Sequence, residues 1–192
     1  MHRTFLLNLG VIAGLLALPP AARAAADISL FLLPPGASSD GRPLASSIPR
    51  ETIEFKSTYA PGSILINTSE RRLYFVLPGH QAIKYGVGVG RPGFEWSGTR
   101  HIASKREWPD WTPPPQMLKR RPDLPRHMEG GIDNPLGARA MYLGGSLFRI
   151  HGSNEPDTIG QAVSSGCIRM TNDDVIDLYD RAKVGAPVFV LR

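Results

Sequence analysis

Residues 62–192 predict a mainly β fold with one short helix and one long loop, and three observations lead there. Short runs rich in branched and aromatic residues recur between turn-type residues. One stretch, 172–183, repeats its apolar residues with a helical period. Between the strand-like runs, 105–138 is studded with prolines. The pattern suits an all-β core with a helical addition.

The elements follow in order. Ile64-Leu65-Ile66-Asn67 and Arg72 to Leu77 flank Thr68-Ser69-Glu70, which is turn chemistry, so they predict a hairpin. Pro78-Gly79 makes the next turn, and Ala82–Val89 predicts a third strand. Further strands are expected at 99–104, 139–143, 147–151 and 187–191. In the helix, Thr171 or Asn172 caps the start and Asp173-Asp174 put negative charge in the first turn. Val175, Ile176, Leu178, Tyr179 and Ala182 form its apolar face, and Gly185 with Pro187 ends it. The loop 105–138 holds Trp108 and Trp111, which either line a groove or fasten the loop to the sheet.

The N-terminal segments stand apart from this core. His2 and Arg3 precede an apolar run of about fourteen residues, Phe5–Leu18, and Ala22-Arg23-Ala24 gives a small-x-small cleavage pattern. That run is shorter than the ~20 residues of a membrane span. Residues 1–24 are therefore expected to be a signal peptide, leaving no membrane span, with the chain exported to the periplasm or cell envelope. Residues 25–61 hold no period for long and are expected to be a linker or loosely docked extension.

Charge excludes some classes. Cleavage removes Arg3 and Arg23 and no acids, so the net charge of +5 falls to a mildly basic +3. Nucleic acid is not an expected partner for an exported chain without a recognisable binding module. Lys119-Arg120-Arg121 is expected to be a solvated loop. Gly88-Val89-Gly90-Arg91-Pro92-Gly93 has the spacing G-x-G-x-x-G, but Pro92 and a β-type run follow where a dinucleotide site needs a helix. No cofactor is expected. His101, His127 and Cys167 lack metal-ligand spacing, so no metal is expected either.

The single cysteine is the sharper clue. An oxidising compartment favours paired cysteines, and Cys167 has no partner in the chain. His151 ends a strand-like run sixteen positions earlier. A thiol nucleophile needs a base within hydrogen-bond reach and a group to orient that base. The Gly152 carbonyl can approach the His151 ring, and backbone N–H groups around Gly166 and Cys167 can form an oxyanion hole. Residue types and spacing alone leave two readings: a cysteine acyl-transfer enzyme or a buried structural thiol.

The opening His-Gly-Ser-Asn-Glu-Pro at 151–156 and the close Val-Ser-Ser-Gly-Cys-Ile-Arg-Met at 163–170 resemble the signature of the YkuD-type L,D-transpeptidases. The likeness extends to 64–77, 86–90, Gly98-Thr99, Trp111-Thr112-Pro113-Pro114, 174–179 and Gly185-Ala186-Pro187-Val188, covering about 62–192. It implies the YkuD-like catalytic fold, with sandwich- or barrel-like β-sheets, acting on peptidoglycan stem peptides. In such enzymes a cysteine cleaves the diaminopimelate–D-alanine bond of a tetrapeptide stem and passes the thioester to an amine of a second stem, making a 3→3 cross-link. Carried onto this chain, the resemblance makes Cys167 the nucleophile, His151 the base and acid, and the Gly152 carbonyl the orienting group. Ser165 and Gly166 border the oxyanion hole, and Arg169 holds the loop or a substrate carboxylate, unless it serves only a structural salt bridge. Acylation of Cys167 by a carbapenem is implied too. Many relatives carry histidine where Ser165 stands, which leaves His151 as the only local base.

Three rival readings use the same residues. Water as acceptor makes the protein an L,D-carboxypeptidase or a hydrolase, and a lipoprotein acceptor makes it a ligase to peptidoglycan. An inert Cys167 makes it a non-catalytic envelope-binding module. The acceptor is expected to be selected by loop 105–138.

Overall fold

A computed structural model describes residues 48–192. The expected signal peptide, 1–24, and residues 25–47 of the expected extension lie outside the described residues.

The predicted hairpin forms as drawn. Strands β2 (Ile64–Asn67) and β3 (Arg72–Leu77) pair antiparallel with Ile64 opposite Phe75. The third strand is shorter than expected: β4 (Gln81–Gly86) stops where Val87 and Gly88 turn away, and the separate β5 is only Val89–Gly90. β6 (Gly98–Glu107) is longer than expected, so the excursion begins at Trp108. β7 (Arg139–Leu143), β8 (Arg149–His151) and β11 (Pro187–Leu191) fall in the predicted runs. Three strands were not anticipated. β1 (Glu51–Glu54) lies within the expected extension and pairs on β4 at the sheet edge. β9 (Ala162–Ser164) and β10 (Ile168–Arg169) flank Cys167.

Nine strands make one curled mixed sheet in the order β1-β4-β3-β2-β11-β6-β7-β8-β10, while β5 and β9 pair apart. Ile64, Ile66, Leu73, Ile102, Met141 and Ile150 are buried in its core, as alternation on a half-buried pleat requires. The glycine-rich stretch opens no helix; β5 instead pairs in parallel with β9.

The predicted helix is α2 (Asn172–Arg181), following α1 (Pro115–Arg120) in the excursion. Thr171 is the N-cap, its hydroxyl accepting from the Asp174 N–H at 3.2 Å. Val175 and Leu178 are buried against the core. Lys105 reaches the other end and donates to the carbonyls of Tyr179 and Ala182, where a cation complements the helix dipole. Helical geometry ends at Arg181, before Gly185, whose φ of +88° turns the chain into β11.

Candidate active site

His151 sits on β8 between two strands. Ala140 of β7 lies opposite it on one side, and Arg169 of β10 on the other. Cys167 immediately precedes β10, so it lies just outside the β8–β10 pairing that carries His151. Both line one cavity of about 780 Å³. The fifteen residues between them form an excursion whose two ends are held by the pairing of β8 with β10.

The histidine is fixed by its neighbour. Its Nδ1 is 2.6 Å from the Gly152 carbonyl oxygen. A carbonyl only accepts, so Nδ1 carries the proton and Nε2 presents a lone pair. The ring is 4% exposed. Burial pushes its pKa down from 6.5 to about 3, and the charges of Arg169 and Arg149 push the same way against the Gly152 hydrogen bond. The imidazole is thus neutral near pH 7. Gly152 has no room for a side chain: a Cβ there would lie 2.3 Å from Asn172 Oδ1 and 3.0 Å from the Ala138 nitrogen. Asn172 Oδ1 accepts the Ala138 N–H at 2.9 Å, which ties the start of α2 to the backbone behind the histidine.

The cysteine loop is held from three sides. Ser164 Oγ donates to the Cys167 carbonyl at 2.6 Å and accepts the Gly166 N–H at 3.1 Å. Trp96 Nε1 donates to the Gly166 carbonyl at 2.7 Å, and its ring stacks on Phe148 at 4.5 Å. Gly166 has φ +104°, and a Cβ on it would be 2.6 Å from a Phe148 ring carbon. Only glycine suits that backbone. Cys167 itself is half-buried, its Sγ 4.0 Å from the Leu147 carbonyl oxygen.

The other expected residues fall around the same cavity. Ser165 lines it and accepts from Arg91 Nη1 at 3.3 Å. Arg169 also lines it, with Nη1 bonded to Glu155 Oε2 at 2.8 Å, so it braces the His151–Cys167 excursion from within. The Gly166 N–H, expected at the border of an oxyanion hole, is already taken by Ser164 Oγ. Across the cavity stand Trp111, Gln116, Met117 and Arg120 of the excursion. Trp111 is buried at the wall, whereas Trp108 is 45% exposed, so the two tryptophans divide the roles open to them. Lys119, Arg120 and Arg121 are exposed as expected, but the first two end α1 and do not lie in a loop, and the Arg120 guanidinium lies 5.2 Å from the Phe94 ring centroid, on the cavity. Sequence reasoning missed Ser164, Trp96, Phe148 and Asn172. Only Ser164, inside the motif, carried any local signal.

Comparison with known proteins bears on the family and the fold. The YkuD family model, described as an L,D-transpeptidase catalytic domain, matches residues 61–190. A probable L,D-transpeptidase of Escherichia coli K12, ErfK/SrfK, is 39% identical over 137 residues, 67% of this chain and 43% of that protein. The matched segment thus spans less than half the length of that relative. L,D-transpeptidase 3 from Mycobacterium tuberculosis, solved with a faropenem-derived adduct, superposes with a TM-score of 0.51 at 18% identity. That match covers 68% of this chain and 60% of the other. A Brucella melitensis structure described as a probable carnitine operon oxidoreductase is 43% identical, with a TM-score of 0.52, covering 74% of this chain and 92% of that one. Its description does not fit the site found here, since the glycine-rich stretch of this chain runs into β5 and not into a phosphate-binding helix.

Proposed function

The chain belongs to the YkuD family of L,D-transpeptidase catalytic domains, and from that premise we propose that it is an exported envelope enzyme that cross-links peptidoglycan stems through a Cys167 thioester. The observation that carries this reading is the 2.6 Å contact of His151 Nδ1 with the Gly152 carbonyl. It leaves Nε2 as a proton acceptor on the cavity that Cys167 also lines.

The steps follow from that tautomer. A tetrapeptide stem enters with the carbonyl that follows diaminopimelate beside Cys167. As the sulfur bonds to that carbon, the thiol proton passes to His151 Nε2. A neutral imidazole with its pKa near 3 is too weak a base to hold the proton alone. Transfer therefore accompanies attack, when negative charge on the new oxyanion stabilises the imidazolium. The N–H groups of Ser165 and Cys167 meet that oxyanion, each such donor being worth about 3 kcal/mol. Collapse breaks the C–N bond, and D-alanine leaves with the proton from Nε2. The amine of a second stem's diaminopimelate then attacks the thioester and gives its proton to Nε2. The intermediate expels the sulfur, which recovers that proton, and a 3→3 cross-link results. No cofactor enters this scheme.

Two measurements test it. Intact mass after exposure to a carbapenem, which acylates a thiol as a stem peptide does, should show one adduct on the wild type and none on Cys167→Ala. An adduct surviving in that variant removes Cys167 from its role. Incubation with a disaccharide-tetrapeptide should then give cross-linked dimers. Tripeptide alone makes water the acceptor, and an unchanged substrate overturns the reading.

A further inference from the structure

Six arginines line the cavity against a single acid, Glu155. Two of the six are neutralised: Arg169 by Glu155 at 2.8 Å, and Arg121 by Asp123 at 2.6 Å. Among the described residues no ion pair involves Arg91, Arg100, Arg120 or Arg149. Arg100 and Arg149 each lie over a separate aromatic ring, Trp96 and Tyr142. Arg91 and Arg120 do not separate. Their guanidinium carbons are 4.2 Å and 5.2 Å from the centroid of the same ring, Phe94.

That convergence is unusual in its chemistry. Each cation gains from the ring face, yet the ring neutralises neither charge, and two like charges gathered at one place repel. The two come from separate elements of the fold. Arg91 follows β5 and donates to Ser165 Oγ at 3.3 Å, two residues before Cys167. Arg120 ends α1, a helix with no buried residue, and its side chain is exposed. A planar carboxylate between them would relieve the repulsion and accept from both, since guanidinium groups match it in bidentate fashion. We infer that Arg91 and Arg120, seated on Phe94, bind a free carboxylate of the substrate peptide and so select acidic stems over amidated ones. The inference rests on the acyl-transfer reading of the cavity, because it makes the ligand a stem peptide. Such a stem offers three carboxylates, the terminal one of D-alanine, the free one of diaminopimelate and the α-carboxylate of the γ-linked D-glutamate.

Binding to the full-length Cys167→Ser protein separates the site from turnover. Calorimetry would compare a disaccharide-tetrapeptide with three analogues, amidated in turn at the D-alanine terminus, at diaminopimelate and at the D-glutamate α-carboxylate. One amidation should weaken binding tenfold or more, and which one does so names the carboxylate. Arg120→Gln, at an exposed position, should weaken the parent peptide to the same degree and erase the difference, and Arg120→Lys should restore part of it. Arg91→Gln, with its melting temperature recorded, should repeat the pattern. The inference is overturned if the parent does not bind, if all three amides bind as well as the parent, or if discrimination survives both glutamine variants. The carbapenem adduct is read separately on the wild type. An adduct without discrimination removes only the carboxylate site. Discrimination without an adduct removes Cys167 as nucleophile and leaves the carboxylate site standing.

Discussion

The two walls of the cavity are built in opposite ways. On one side, β8 carries His151 and pairs in parallel with β10, which Cys167 immediately precedes, over buried Ile150, Ile168 and Met170. On the other, the 108–138 excursion offers α1, a helix of six residues that buries none of them. The first wall fixes atoms through backbone hydrogen bonds and glycines without room for a methyl group. The second presents long side chains on a support tied down mainly at its base, where the buried Asn134 donates to the carbonyls of Pro109 and Glu129. The contrast assigns chemistry to the first wall and recognition to the second. It also predicts that substitutions in the two walls will fail differently.

The largest effect should come from Gly166→Ala. Its φ of +104° strains any side chain, and the new Cβ would meet the Phe148 ring at 2.6 Å. That ring is backed by Trp96 and has little freedom to move aside. Strain and overpacking together should cost about 3 kcal/mol or more. Displacing the thiol by even 1 Å should lower turnover by ~100-fold. Chemical denaturation and stem turnover read the two losses. A variant close to wild type in both would show that the loop is not held as rigidly as this wall requires.

Next in size is the pH dependence that His151 imposes on stability. The unfolded chain protonates this ring near pH 6.5, while the folded chain refuses the proton until about pH 3. Its folded pKa is depressed, so its contribution to stability is complete above pH 6.5 and is lost as the pH falls toward 3. Between pH 7 and pH 5 the loss should reach about 2 kcal/mol from this one group. His151→Gln, which cannot titrate, should flatten the difference in denaturation midpoint between those two pH values. If the variant keeps the full slope, the ring is not the group responsible.

Trp96→Phe should come third. It keeps an aromatic ring against Phe148 but removes the indole N–H that donates to the Gly166 carbonyl at 2.7 Å. One lost hydrogen bond of this kind costs about 1 kcal/mol. The expected signature is a modest fall in stability with a several-fold fall in kcat and little change in KM. A change in KM alone would place Trp96 with the recognition wall.

Legibility in the sequence also divides between local and long-range features. The β2–β3 hairpin announced itself because alternation and turn chemistry lie within fourteen residues. The helix announced itself through Thr171 and the apolar period. Cys167 and His151 stood out because an unpaired thiol is chemically odd in a chain expected to be exported. What stayed hidden depends on residues far apart in the chain. The parallel pairing of β8 with β10 joins two- and three-residue strands that carry no period of their own. The Trp96–Phe148 stack and the Asn172 hydrogen bond to Ala138 span 52 and 34 positions. β1 was hidden for another reason: Glu51–Glu54 is mostly exposed, so an edge strand there shows no apolar alternation.

The smallest predicted effect on stability tests the recognition wall. Met117 lines the cavity from α1 and is only half-buried, while its helix holds no buried residue. Truncating it to alanine therefore removes little packing, and stability should move by no more than about 0.5 kcal/mol. Yet it lines the cavity through which, in the proposed reaction, an acceptor would approach the thioester. Met117→Ala should change the ratio of cross-linked dimer to hydrolysed tripeptide several-fold, because an enlarged mouth admits water more readily than it orients an amine. Carbapenem acylation, which involves no acceptor, should proceed at the wild-type rate. If the ratio holds while stability falls by more than about 1 kcal/mol, the excursion is a structural strap. The acceptor would then have to be chosen on the same wall that carries the nucleophile.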